Sequence, residues 1–125
     1  MQAFSFWVAL LVALAIIAIG ISYLSIPRAA TRSFGLPLPE GANVEWWLRL
    51  KGVRDVVAGL VILALMAWGG HRMVGIGLMV EAIIPLGDMA VILAAKGSIG
   101  RALGIHGLTA ALMILAAIPL AMAAA

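Results

Sequence analysis

Two carboxylic acids, Glu81 and Asp88, interrupt one of the most apolar parts of the sequence. With Pro85 they are spaced i, i+4 and i+7, so in a helix all three lie on one face. Pro85 removes the backbone hydrogen bond to the carbonyl of Glu81, and a kink is expected there. An acid in apolar surroundings can keep its proton near neutral pH and donate it to a bound molecule. The spacing therefore favours acid and base chemistry over the alternative, two neutral acids that only hydrogen-bond to neighbouring helices.

His106 and Thr109 lie at i and i+3 in the last apolar run of the chain. A lone histidine in such a run is usually structural, but histidine also accepts and returns protons at neutral pH. At ~1.5 Å per residue, His106 lies ~8 Å and Asp88 ~12 Å from the same polar end of their helices. We therefore predict that Asp88, Glu81 and His106 act together as catalytic acids and bases, with Thr109 lining the same pocket.

A second group of charges, Lys51, Arg54 and Asp55, lies near the start of another apolar run. Lys51 precedes Asp55 by one helical turn, so the two can pair at i,i+4. We predict that these three residues form a charged rim or binding group, and that Arg32 from the preceding connector also lines the pocket. The alternative is an acid neutralised near a helix start with no further role.

The elements that must position these residues are membrane helices. Hydrophobic residues make up 66% of the chain and charged residues 10%, whereas soluble domains contain about 25% charged residues. Runs of about 20 apolar residues are long enough to cross a hydrocarbon layer of ~30 Å. Short polar breaks between such runs favour antiparallel neighbours. The sequence therefore predicts one all-α domain over residues 1–125, an up-down-up-down four-helix bundle with helices at residues 3–26, 47–68, 73–95 and 102–122.

The long connector at residues 27–46 carries Pro27, Pro37 and Pro39, which exclude a continuous helix. Residues 28–34 can form a short helical turn in the headgroup layer. We favour a simple connector here, with a lid over a site between the helices as the alternative.

Orientation follows from the distribution of Lys and Arg. Of the eight such residues, only Arg72 lies in the break between the second and third runs. The positive-inside rule then places the connector in the cytoplasm and both termini outside, in the inner (plasma) membrane of the cell. The remaining basic residues, all on the predicted cytoplasmic side, are Arg28, Arg32, Arg49, Lys51, Arg54, Lys96 and Arg101.

No cofactor is expected. The chain has no cysteine, which excludes thiolate metal sites and disulfides. One histidine in an apolar helix without a spaced ligand motif does not predict a metal site, and no phosphate-binding loop is present. The expected partners are membrane lipid and a hydrophobic small-molecule ligand, with a homo-oligomer left open. Nucleic acid is not expected, because helix-end basic residues explain the net charge of +3.

Several of these motifs together resemble the DUF4267 family of small bacterial and fungal membrane proteins. The resemblance covers nearly the whole chain and implies a four-helix membrane protein without an assigned activity. More loosely, size and helix count are similar to DoxX-like proteins and to small membrane anthrone oxygenases, from which no residue role carries over. The segments that carry the family resemblance are Arg32-Ser33-Phe34-Gly35-Leu36-Pro37, Lys51-Gly52-Val53-Arg54-Asp55, Ile84-Pro85-Leu86-Gly87-Asp88 and Ile105-His106-Gly107.

Three functions fit these residues. The one we favour is an enzyme or binding protein for a hydrophobic small molecule, using acid and base chemistry in a polar pocket open to the cytoplasm. The second is a membrane assembly or partner subunit without chemistry, which predicts polar residues that pair off completely and leave no pocket. The third is a proton-coupled transporter, against which the absence of an acid in the first helix counts.

Overall fold

The computed structural model describes residues 1–123, which are all-α, with one long connection at residues 32–43 and otherwise short ones; no strand occurs among these residues. This confirms the predicted all-α class. The elements in chain order are α1 (Gln2–Ser25), α2 (Pro27–Thr31), α3 (Val44–Trp68), α4 (Gly70–Glu81), α5 (Ile83–Ala94), α6 (Ile99–Arg101), a π-helical turn (Ala102–Gly107) and α7 (Leu108–Ala121).

Three helical segments are long and apolar enough to cross a membrane: Gln2–Ser25, Gly70–Ala94 and Ile99–Ala121. Their length and composition identify a membrane protein. Helix α3 has 25 residues, about 37 Å at ~1.5 Å per residue. It does not meet the same criterion, because its charged residues are concentrated in its first half.

The third predicted helix, residues 73–95, is divided in the structure. Helix α4 ends at Glu81 and α5 begins at Ile83, with Ala82 between them. The division follows from Pro85, which has no N–H to donate to the carbonyl of Glu81 and whose ring crowds that carbonyl. Leu86 still donates to the carbonyl of Ala82 at 3.2 Å, and Ala82 donates to that of Leu78 at 2.9 Å, so backbone hydrogen bonds continue across the interruption. A kink was predicted, and the structure interrupts the helix at that point.

The fourth predicted helix, residues 102–122, contains a π-helical turn that the sequence analysis did not predict. The turn runs from Ala102 to Gly107 and includes His106, which is buried. A π-helical turn inserts an extra residue into a helix and is frequent at functional sites. Within residues 102–123, His106 in this turn is the only residue with a titratable side chain.

The helices form two close pairs. In the first pair, α1 packs along α3, and Gly20 faces Gly52 with so little space that an added Cβ on Gly20 would lie 2.7 Å from the Gly52 carbonyl oxygen. In the second pair, α4 packs along α7, where Gly75 faces the backbone of Ala117 and Leu120. Small residues at both crossings allow backbones to approach closely, as is common in membrane helices.

The two pairs join at one end of the molecule, through a core that includes Ile62, Leu78 and Met113. At the other end they separate: α5 packs against the π-helical turn, and within the described residues neither α1 nor α3 packs extensively on α5 or on that turn. This divergence leaves a cleft that holds the ionisable residues considered below.

The connector between α1 and α3 crosses the mouth of this cleft. Gly35 accepts a hydrogen bond through its carbonyl from the Ser98 N–H at 2.8 Å. Arg101 donates from its guanidinium to the carbonyl of Arg32. On the other side, the Nε of Arg28 in α2 lies 2.7 Å from Oε1 of Glu45 in α3. The connector therefore contacts α3 on one side and the segment around α6 on the other.

Candidate functional site

A cavity of about 550 Å³ lies in the cleft between the two helix pairs. Its size falls within the range of ~300–1,000 Å³ that is usual for small-molecule sites. Every long helical segment contributes to its wall, and most wall residues are apolar. The polar and ionisable side chains that line it are Ser22, Tyr23, Ser33, Lys51, Asp55, Glu81, Asp88, His106 and Thr109.

His106 and Asp88 lie next to each other in the wall of this cavity. The Nδ1 of His106 lies 3.5 Å from Oδ2 of Asp88, and the histidine side chain is 10% exposed. The other ring nitrogen, Nε2, lies 2.9 Å from the carbonyl oxygen of Phe34. A carbonyl oxygen only accepts, so Nε2 must carry a hydrogen and donate it. The lone pair or proton of Nδ1 is then directed at Asp88, and the pair is suited to hold one proton between two bases.

Phe34 fixes the histidine in a second way. Its ring lies edge-on to the imidazole, with centroids 4.8 Å apart and planes at 70°. This is a favoured aromatic geometry. One connector residue thus sets both the tautomer and the tilt of His106, and a change in the connector would alter the proton-transfer geometry.

On the opposite wall, Lys51 pairs with Asp55 as the i,i+4 spacing predicted. The Lys51 Nζ lies 2.6 Å from Oδ2 of Asp55, whose side chain is 9% exposed. The same ammonium group lies 4.6 Å from the centre of the Tyr23 ring and 5.2 Å from that of Phe34. Aromatic faces and a carboxylate both stabilise a cation. The lysine is held in the cavity wall rather than extended into solvent.

Glu81 and Thr109 line the same cavity. Thr109 donates its hydroxyl to the carbonyl of Ile105 at 2.7 Å, within its own helical segment. For the Glu81 carboxyl group, the residues described by the structure provide neither an ion pair nor a side-chain hydrogen bond. Glu81 is therefore free to interact with a molecule that occupies the cavity.

Two of the predicted site residues lie elsewhere. Arg54 and Arg32 are both exposed, and neither is part of the cavity wall. Arg54 directly precedes the buried Asp55 on α3, and its own side chain lies on the exposed face of the helix. Arg32 takes part through its backbone, as acceptor for Arg101. The ion pair at the cavity consists of Lys51 and Asp55 without Arg54.

The family profile described as Domain of unknown function (DUF4267) matches residues 13–120. The chain belongs to the DUF4267 family. All of the polar cavity residues named above fall within the matched range. No curated protein and no solved structure matches the chain.

Four polar or aromatic residues of this cavity were missed as site residues in the sequence analysis: Ser22, Tyr23, Ser33 and Phe34. Phe34 is an aromatic residue in a proline-rich connector, and it belongs to one of the motifs that carry the family resemblance, so a signal was present. Tyr23 is a polar aromatic residue near a helix end, a position that membrane interfaces also favour. Its role in the cavity could not be separated from that explanation.

No group of three or more His, Asp or Glu side chains within residues 1–123 of this DUF4267 protein is arranged to hold a metal ion. The cavity side chains themselves offer proton transfer, hydrogen bonding and charge pairing.

Proposed function

We propose that this protein binds a hydrophobic small molecule in the cleft and transforms it by proton transfer, with Asp88 and His106 as the reacting acid and base. The observation that supports this proposal most is the position of His106. Its Nε2 is held by the Phe34 carbonyl, so its Nδ1 faces the carboxyl group of Asp88 inside a cavity with apolar walls.

The proposal includes four membrane spans in an up-down-up-down bundle. Helix α3 is added to the three spans already identified and is the second of the four in chain order. The concentration of basic residues at the connector end supports a cytoplasmic connector and external termini. Two contacts agree with this arrangement. Gly35 in the first loop bonds to Ser98 in the loop after α5, so both basic loops lie at one end. At the other end, Phe6 lies 5.0 Å from His71 between ring centroids, and Gln2 lies near Met122.

In the proposed reaction, Asp88 in its protonated form donates a proton to an alkene, epoxide or carbonyl group of the ligand. His106, with Nδ1 directed at the same carboxyl group, supplies or removes the proton that Asp88 exchanges. Glu81, further along the same helical face, accepts a proton from a second position of the ligand. The separation of 3.5 Å between Asp88 and His106 is longer than a tight hydrogen bond, as is common before a substrate is bound.

Isomerisation, cyclisation and oxygenation without a cofactor all begin with such a proton transfer. Removal of one positioned acid or base typically costs about 10²–10⁴-fold in rate. The role assigned to Lys51 and Asp55 is to orient the polar group of the ligand.

An assembly subunit without chemistry is the main competing proposal. It requires polar residues that satisfy one another and leave no space. Three observations favour a ligand over that alternative: the cavity itself, the Glu81 carboxyl group, which has no ion-pair partner among residues 1–123, and the exposed fraction of Asp88, 29%.

The proposal is tested by deuterium exchange. The purified protein in lipid nanodiscs is incubated in D₂O with a panel of long-chain ketones, alcohols and alkenes, and deuterium incorporation is measured by mass spectrometry. We expect exchange into at least one class, next to the carbonyl or double bond. Asp88→Asn should slow it by at least about 100-fold, because the amide cannot donate an acidic proton.

The matched control is Glu40→Gln, which also neutralises a carboxyl group but at an exposed connector position outside the cavity. It should leave exchange unchanged. Asp88→Asn with the exchange rate of the wild-type protein would remove Asp88 from the reaction and end the proposal in its present form.

A further inference from the structure

We propose that the cleft takes a single-chain lipid with an uncharged, oxygen-bearing head group, and that this lipid enters sideways from the bilayer. The inference rests on the proposed function and names its ligand class. Three observations carry it: the apolar track along α1, the exposure of residues at the edges of that track, and the charge balance at its polar end.

The apolar track extends along one side of α1. From Val8 to Ile19 the helix contributes apolar side chains to the cavity wall over about 16 Å, at ~1.5 Å per residue. The polar residues that α1 contributes to the wall, Ser22 and Tyr23, come after Ile19, and the Tyr23 ring lies 4.6 Å from the Nζ of Lys51. The cavity therefore has a long apolar part and a polar end, the shape of an amphipathic chain with its head group at one end.

The edges of this track are open to the surroundings. Leu11 and Ile19 on one side are 66% and 48% exposed, and Ile105 and Leu112 on the other are 44% and 47% exposed. All four line the cavity, and all four belong to helices that are long and apolar enough to span a membrane. In a bilayer these side chains face acyl chains, so a lipid can pass between them without crossing water.

The polar end excludes an anionic head group. Within residues 1–123, Lys51 is the one lysine or arginine that lines the cavity, and its Nζ already lies 2.6 Å from Oδ2 of Asp55. The remaining titratable side chains of the wall are Tyr23, the two acids Glu81 and Asp88, and His106, which faces Asp88. A carboxylate or phosphate would meet acids without a cation of its own.

The same end disfavours an ammonium head group. The Lys51 ammonium has three donors, and one is directed at Asp55. An alcohol, aldehyde or ketone oxygen can accept a further donor of Lys51 or the hydroxyl of Tyr23, whereas an ammonium group has no acceptor. An uncharged oxygen is the head group that satisfies these donors.

The test uses a photoreactive long-chain alcohol with a diazirine in its chain, incorporated in nanodiscs with the full-length protein. After irradiation, labelled residues are mapped by mass spectrometry. We expect labels on the cavity face of α1 and on α7 near Leu112. Hexadecanol should displace the probe at concentrations at least about tenfold lower than hexadecanoic acid or hexadecylamine at about pH 8, where the acid is ionised.

A matched pair of variants checks the track itself. Ala15 lines the cavity and Ala18, on the same helix, does not, and both are exposed. Ala15→Phe should reduce labelling at least about tenfold, equivalent to ~1.4 kcal/mol of binding free energy, and Ala18→Phe should leave it unchanged. Since both alanines are exposed, the two substitutions should affect folding similarly. The displacement of the probe by competing lipids is measured in the wild-type protein and does not depend on either variant.

Each result discriminates. Labelling spread evenly over all lipid-facing residues, or equal loss in both variants, would overturn the inference. If the acid or the amine displaces the probe best, the head group is wrong, while the proposed function stands or falls separately by deuterium exchange. Strong exchange without cleft labelling would likewise overturn the lipid inference and leave the reaction at Asp88 intact.

Discussion

Replacement of Gly20 by Ala tests the packing that forms one wall of the cavity. A Cβ at this position would lie 2.7 Å from both the Gly52 carbonyl oxygen and the Val56 backbone nitrogen, whereas ordinary contacts begin at 3.4 Å. Backbone atoms in the middle of a helix cannot turn aside as a side chain can. The axes of α1 and α3 must therefore separate by about 0.7 Å, the difference between these two distances.

Gly87→Ala supplies the matched control. Gly87 is exposed on α5, and an added Cβ there has no neighbour within 4 Å. Both substitutions gain the same helix propensity, ~1 kcal/mol, so the difference between them isolates the steric cost. Overpacking of this kind costs ~1–3 kcal/mol, and a separation of 0.5–1 Å also loses a quarter to a half of each dispersion contact along the interface. We expect Gly20→Ala to be ~1–3 kcal/mol less stable than Gly87→Ala.

The free energy of unfolding can be measured by SDS titration in mixed micelles, with tryptophan fluorescence as the signal. Because Tyr23 lies one turn beyond Gly20, the Lys51–Tyr23 contact should also lengthen in Gly20→Ala. The rate of deuterium incorporation into the ligand should then fall. Equal stability of the two alanine variants, within about 0.5 kcal/mol, would show that α1 and α3 do not cross closely in the membrane, and the cavity wall would then need a different origin.

Three further predictions concern the ion pair, the connector and the membrane topology. Lys51→Met leaves the Asp55 carboxylate without its partner and should lower the free energy of unfolding by ~1–3 kcal/mol. This is less than the loss of a fully buried pair, because the lysine side chain is 29% exposed. Adding Asp55→Asn should restore most of the lost stability in the same SDS titration. Gly35→Ala forces a side chain into a φ of +114°, a strain of ~1–3 kcal/mol that should loosen the connector, seen as faster amide hydrogen exchange at Ser98, and leave global unfolding little changed. Since the chain has no cysteine, Glu40→Cys should react with an impermeant maleimide only from the cytoplasmic side of oriented vesicles, and labelling from outside would reverse the proposed topology.

The sequence predicted the all-α class and long apolar helices, because hydrocarbon imposes a simple rule on long apolar runs. It also predicted that Asp55, Glu81, Asp88 and His106 would face the interior, since each would be costly against lipid. All four line one cavity. The depth argument placed Asp88 and His106 at similar depth because rise per residue is nearly constant in helices, and in the structure Oδ2 of Asp88 and Nδ1 of His106 lie 3.5 Å apart.

The remaining features depend on contacts between distant segments. The π-helical turn around His106 has no sequence pattern of its own, and the histidine reaches the Phe34 carbonyl only because the connector folds back over the cleft. Arg54 was misplaced because two cations precede Asp55 closely, and spacing alone favours Lys51 only slightly. The i,i+4 relation decided the pair, and the adjacent arginine side chain leaves the helix on the exposed face.

Both the helix packing and the acids in the walls keep the cleft open. Close backbone contact at Gly20 fixes the first helix pair, and large side chains such as Ile62 and Leu78 fill the space between pairs at the opposite end only. At the cleft, Asp55 lies on α3 and Asp88 on α5, and one lysine cannot neutralise both carboxylates if the walls close. Two carboxylates close together in apolar surroundings repel each other. The arrangement therefore favours an occupant that brings its own polar atom between the walls and fills the remaining length with hydrocarbon.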